Sequence, residues 1–244
     1  MDELTYVLDA GNTSVKIGRF ENGVLKHVDR FPTNEQSRWN ELSEFIPINS
    51  NVAYCSVAGA AFDAFIQKNA PQHIKINAHS PLPIENQYKT PQSLGMDRLC
   101  NAVAIHLLKQ SKNAVAIDLG TCIKFDLIEG NRYVGGSIAP GIAMRYASMH
   151  DYTAKLPLVD LLTQESFIGS DTISSMAAGV IQGIDAELKG MMDKYRAKFG
   201  PDLTFFMTGG DADYFDFEGK NDIFVDPNLT LKGVYEIYLC HVAC

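Results

Sequence analysis

The stretch Asp9-Ala10-Gly11-Asn12-Thr13 follows an apolar run from Leu4 to Leu8, and its Asp-x-Gly pattern returns nearly half the chain later as Asp118-Leu119-Gly120-Thr121. A glycine after a strand allows a tight turn whose N–H groups can face an anion, while the aspartate carboxylate can hold a cation or its water. A single Asp-x-Gly is an ordinary turn. Two of them in matching strand contexts suggest a pair of jaws, with phosphate and metal sharing one cleft.

Working outward, residues 4–30 read as three strands, Leu4 to Asp9, Ser14 to Phe20 and Val24 to Arg30, the last two joined by an Asn22-Gly23 hairpin signal. Residues 113–138 repeat the plan. Ala114 to Asp118, Cys122 to Glu129 and Tyr133 to Ile138 are strands, with a turn at Gly130-Asn131. The remainder alternates helix and strand. Asp97 opens a helix with Leu99, Ala102, Val103 and Leu107 on one face, and a longer helix after Asp171 places Ile173, Met176, Val180, Ile184, Leu188, Met191 and Tyr195 at helical spacing until Gly200-Pro201. Short strands at 203–207 and 223–225 and a closing helix from Leu231 to His241 complete an α/β pattern with mixed sheets. The duplication predicts two lobes, 1–111 and 112–244, with a hinge between Lys109 and Asn113 and the last helix packing back.

The chain has 244 residues, 46% hydrophobic and 20% charged, which suits a folded α/β protein of one large or two smaller domains. A net charge of −8 with dispersed Lys and Arg argues against nucleic acid as a partner. The acidic N-terminus and the lack of a long apolar run predict a cytoplasmic protein with no membrane span. Five scattered cysteines without a Cys-x-x-Cys read as reduced thiols rather than zinc ligands or disulfides. Neither a Walker-type phosphate loop nor a Gly-x-Gly-x-x-Gly fingerprint occurs, so any nucleotide is held in another way.

The stretch Asp9-Ala10-Gly11-Asn12-Thr13-Ser14-Val15-Lys16 is followed by Tyr88, Gly95-Met96-Asp97-Arg98, Asp118-Leu119-Gly120-Thr121 and Gly135 to Gly141. Leu156-Pro157, Gly169 to Thr172 and Thr208-Gly209-Gly210-Asp211 complete the series. In this order they resemble the type III pantothenate kinases of the actin-like superfamily, over nearly the whole chain. The resemblance implies two ribonuclease H-like (actin-like) lobes, each a mixed β-sheet with flanking helices, and a cleft between them. It implies ATP-dependent phosphorylation of pantothenate to 4′-phosphopantothenate, the first step of coenzyme A biosynthesis. Asp9 to Lys16 and Thr121 match the family's ATP-binding residues, Asp97 its base, and Tyr88, Gly95, Met96, Asp97, Arg98 and Thr172 its pantothenate-binding residues. Asp118 matches a ligand of a monovalent cation, K+ or NH4+, and Mg2+ would bridge the ATP phosphates. The family's acceptor groups meet at a homodimer interface, with the threonine supplied across it. Taken alone, Asp97 is equally a helix N-cap, Arg98 a surface ion pair, Tyr88 a core aromatic and Thr172 a helix cap. A non-catalytic ATP-binding relative, or another small-molecule kinase of the superfamily, remains the alternative.

One position departs from the family's Asp-x-Gly-Thr-Ala-x-Thr-x-Asp pattern: Lys124 stands where a small hydroxyl residue is usual. Directed at Asp118, its ammonium would take the cation's place and lower the requirement for it. Directed outward, it would be a solvated strand lysine.

Overall fold

Strand β1 (Leu4–Ala10) alternates between two buried faces and lies at the centre of the first sheet, whose order is β3-β2-β1-β4-β5. The computed structural model describes residues 4–33, 35, 39–109, 111–160, 167–217 and 221–243. Of the expected hinge, Gln110 lies outside these residues, as does Cys244 among the cysteines. Strands β2 (Ser14–Glu21) and β3 (Val24–Pro32) continue from β1 as an antiparallel meander, while β4 (Asn51–Ser56) and β5 (His73–Lys75) add in parallel on its other side. Asn22 and Gly23 both adopt left-handed backbone, φ 50° and 81°, as a two-residue hairpin turn requires.

The second half repeats this order. Strand β7 (Asn113–Leu119) pairs antiparallel with β8 (Cys122–Glu129) and parallel with β10 (Thr204–Thr208), which pairs parallel with β11 (Ile223–Val225); β9 (Arg132–Pro140) lies beyond β8. Both sheets therefore carry a three-strand meander on one side and two parallel strands on the other, the mixed-sheet duplication that the paired turns predict.

The chain divides into two compact units. The first gathers the residues up to Leu108, residues 131–135 and those from Asn228 onward; the second holds 109–130 and 136–227. In the first unit, α1 (Trp39–Phe45) and α2 (Ala60–Asn69) cover one sheet face through Trp39, Leu42, Phe62 and Ile66, packed on Leu8, Val15, Ile17 and Tyr54. Helices α3 (Met96–Leu108) and α6 (Leu229–Val242) pack on each other, with Gly233 against the backbone of Cys100 and the buried Thr230 hydroxyl donating to Asn101 Oδ1 at 2.9 Å. The first unit also includes β6 (Glu85–Asn86), which pairs in parallel with Arg132 and Tyr133.

In the second unit, α4 (Ile142–Asp151) and α5 (Thr172–Phe199) bury Ile142, Tyr146, Val180, Ile184 and Leu188 against Val115, Ile117, Phe125 and Phe205. Both long helices extend beyond the expected apolar faces. Helix α3 is buried on all sides from Arg98 to Ile105 and then emerges, so that Leu107 is 49% exposed; Ile173, in the first turn of α5, is exposed as well. A periodic pattern reports which residues share a face but not where along a helix the covering layer stops. Among the described residues, no helix is long and apolar enough to cross a membrane.

Candidate active site

The first turn begins where β1 ends. Asp9 sits directly opposite Lys16 on β2, and directly opposed residues of an antiparallel pair share a face, so carboxylate and ammonium lie on the same side of the sheet. The Gly11 N–H donates to the Ser14 carbonyl at 3.0 Å, and Thr33 ties the turn down, its hydroxyl donating to the Gly11 carbonyl at 2.8 Å and its N–H to the Thr13 carbonyl at 3.0 Å. Gly11's own N–H is thus engaged in closing the turn and is not among the donors facing an anion. Asn12 and Thr13 form the exposed tip, Ala10 and Val15 are buried, and Ser14 and Lys16 are half-buried.

The second turn copies the first. The Gly120 N–H donates to the Cys122 carbonyl at 3.2 Å, and Lys124 lies opposite Asp118 just as Lys16 lies opposite Asp9. Lys124 Nζ donates to Asp118 Oδ2 at 2.8 Å, with the two side chains only 18% and 16% exposed. The reading of Lys124 as a solvated strand lysine is therefore set aside. Two further segments frame this turn: the Gly141 N–H donates to the Thr121 carbonyl at 3.1 Å, and the Asp211 N–H to the Leu119 carbonyl at 2.9 Å. A Cβ at Gly141 would strike the Gly120 carbonyl, and one at Gly209, whose φ is 101°, would strike the backbone of Leu119. Burial, and then the charge of Asp118, push the Asp211 carboxyl above its ordinary value. Gly141, Gly209 and Asp211 lie in motifs that carry the family resemblance, Gly209 in its Gly-Gly nucleotide segment, but were not among the named site residues. The signal was present in the glycines themselves, which are needed where one backbone runs against another. Thr121 is exposed at the tip.

The acceptor candidates assemble in the first unit. Asp97 lies in the first turn of α3, inside the helix rather than at its cap, and its Oδ1 folds back so closely over Gly95 that a Cβ there would come within 2.5 Å. Met96 opens the helix, half-buried. Arg98 is only 4% exposed, which excludes a surface ion pair, and its guanidinium lies 5.5 Å from the centre of the Tyr88 ring. Such stacking on an aromatic face fixes the plane of the guanidinium fork. Tyr88 is positioned by its N–H donating to Asn86 Oδ1 at 3.0 Å and by its ring stacking on Tyr133 at 6.0 Å. Gly135, at φ 109°, leaves room for that ring: a Cβ would come within 3.3 Å of it.

Cys55 joins these groups to the first turn. It lies beside Asp9 on the parallel strand β4, and its thiol donates to Asp9 Oδ1 at 3.5 Å. The thiol is pushed up by its contact with Cys100 on α3 first, then by burial and by the charges of Asp9 and Asp97. Asp9 thus touches this thiol directly, while Asp97 acts on it through its charge. Thr172 does not join them within this unit. It is exposed in the first turn of α5, in the second unit, where Asp171 is the cap, accepting from the Ser174 N–H at 2.9 Å while Ser174 Oγ accepts from the Asp171 N–H at 3.1 Å. Asp171 therefore takes the capping role that would have explained Thr172 away.

Several proteins of known description resemble this chain. Among solved structures, a Campylobacter jejuni protein described as a conserved Baf family transcriptional activator superposes with a TM-score of 0.63 at 20% identity, covering 98% of this chain and 100% of its own. A ParM protein superposes with a TM-score of 0.53 at 11% identity, covering 98% and 97%. The likeness is one of fold, which is actin-like. In sequence, a type III pantothenate kinase of Flavobacterium johnsoniae is 34% identical over 234 residues, 95% of this chain and 96% of that protein. One of Christiangramia forsetii is 36% identical over 236 residues, again 95% and 96%. The family model for type III pantothenate kinase matches residues 5–194, so the paired turns, the buried Arg98 and the Asp97 helix start belong to a member of the type III pantothenate kinase family.

Proposed function

We propose that this protein transfers the γ-phosphoryl group of ATP to the primary hydroxyl of pantothenate, yielding 4′-phosphopantothenate, the first committed product toward coenzyme A. The observation that carries the reading is the Asp9 turn with Lys16 directly opposite, beside a thiol that touches Asp9 and also feels the charge of Asp97. In-line phosphoryl transfer needs a base at the acceptor oxygen, charge neutralisation at the phosphates and donors that hold both substrates. Asp97 takes the hydroxyl proton. Arg98, held over the Tyr88 ring, pairs its fork with the pantothenate carboxylate, and Tyr88, Gly95, Met96 and Thr172 complete the acceptor site. Asp9 to Lys16 and Thr121 hold the ATP phosphates, with Lys16 as a point charge.

Two ions accompany this reading in the family. Among the described residues, no group of three or more His, Cys, Asp or Glu is arranged to hold a metal, which fits Mg2+ carried mainly by the phosphates, with Asp9 offered to its water shell. Bound there, Mg2+ would neutralise charge between the β- and γ-phosphates. For K+ or NH4+ at Asp118 the residues do not fit: that carboxylate already accepts from the Lys124 ammonium. The pair supports turnover with a reduced need for a monovalent cation.

The acceptor site is completed by a second copy of the chain. Leu158, Phe167, Ile168 and Ile173 are exposed large apolar side chains of the second unit, close in sequence to Thr172. Exposed apolar groups in such number favour association. The kinase assignment is tested by ADP release on addition of pantothenate. Asp97→Asn should lower turnover by about 10²- to 10⁴-fold while ATP still binds, the range for loss of a general base; unchanged turnover removes Asp97 from that role.

A further inference from the structure

The two sheets place equivalent groups around their turn aspartates. Asp9 has Lys16 opposite it on the antiparallel neighbour and Cys55 beside it on the parallel neighbour; Asp118 has Lys124 and Thr208 in the same two places. In each case the parallel neighbour offers a small side chain with a single polar hydrogen. Both are nearly inaccessible, Cys55 at 2% and Thr208 at 1% exposure. Cys55 is backed by Cys100, which is fully buried on α3, one helical turn from Asp97. A thiol enclosed in this way is a poor nucleophile, and what remains to it is donation.

From this geometry we propose that Cys55 is a positioning residue for ATP: its S–H bond to Asp9 Oδ1 sets the rotamer of that carboxylate in the phosphate turn. The inference rests on the ATP-binding role of Asp9 proposed above. An S–H group is a weak donor, but here its acceptor is a half-buried carboxylate oxygen, a stronger acceptor than a neutral one. Without it, the Asp9 carboxylate has one fixed neighbour fewer. Serine keeps the polar hydrogen in nearly the same volume; alanine and valine remove it.

Titration calorimetry of ATP with Mg2+ on the full chain tests the proposal. Cys55→Ala is expected to weaken ATP binding about tenfold, the scale of one hydrogen bond to a charged group. Cys55→Ser is expected to stay within about twofold of the wild type, a difference well under 1 kcal/mol. Cys55→Val fills the site without a donor and carries the same expectation as alanine where the alanine variant does not fold. In an Asp9→Asn background, Cys55→Ala should add nothing, since the thiol acts through that carboxylate. Three results would overturn the proposal: wild-type affinity in both Cys55→Ala and Cys55→Val, an equal loss in Cys55→Ser, or additive losses in the double variant. Because calorimetry reads ATP alone, a failure to phosphorylate pantothenate leaves this readout intact, and the two readings fail separately.

Discussion

Lys124 and Asp211 each make a demand on Asp118. The first, the Lys124 ammonium, occupies its Oδ2 at 2.8 Å, whereas the charge of Asp118 acts after burial to push the Asp211 carboxyl up. The first demand makes a prediction about ions. Wild-type turnover should persist in potassium-free buffer, and Lys124→Thr, which restores the family's hydroxyl residue, should make turnover depend on added K+; collapse of the wild type without potassium rejects this. The second makes a prediction about pH. A carboxyl raised above its ordinary value of 3.8 binds its proton more tightly in the folded state, so the stability it contributes is present below that value and is lost as pH rises through the raised one. Asp211→Asn should therefore melt at a higher temperature than the wild type at about pH 7, and thermal scans should show the gap closing toward about pH 4. At this scale, Asp9, Lys16, Asp97 and Arg98 were legible in the sequence because each sits inside a contiguous motif. Cys55 was not: it comes beside Asp9 only through strand pairing across an intervening stretch of 45 residues.

Helix α3 carries Asp97 and Arg98, and two glycines set the space around that cluster. Gly233 lets α6 approach α3 until its Cα faces the Cys100 carbonyl, so Gly233→Ala must push the helices apart. Overpacking of this kind costs about 1–3 kcal/mol, and the variant should show that loss in denaturant melts together with a raised KM for pantothenate. Gly135→Ala meets two obstacles at once, a left-handed backbone at φ 109° and the Tyr88 ring. It should raise the KM for pantothenate more than that for ATP, because what it displaces is the partner of Arg98. Equal shifts in both constants would disconnect Gly135 from the acceptor site. Helices α3 and α5 were legible from periodicity, and α5 also from its stop signal. Helices α1, α2 and α4 and strands β4 and β5 were not assigned in advance, because short elements owe their stability to packing and leave little pattern of their own.

At the scale of the molecule, the chain leaves its first unit at Leu108 and returns to it for the last helix, so the C-terminal segment completes the fold that the N-terminus begins. Deleting residues 228–244 should therefore raise hydrogen exchange in β1, β2 and α3, which α6 packs against, and spare the sheet of the second unit; uniform protection loss would contradict this division. Replacing the exposed Phe167 and Ile168 with Asp should shift sedimentation from dimer to monomer and remove pantothenate turnover, if a second copy completes the acceptor site. The sequence by itself determined the duplicated β-meanders, the two turns and the order of the motifs, because strand alternation, glycine turns and helix stops are local properties of the chain. Only the tertiary structure decided that Lys124 turns onto Asp118, that Arg98 is buried over Tyr88, and that a cysteine on a neighbouring strand touches Asp9. Those contacts depend on register and on close approach between distant segments, and no local propensity encodes either one.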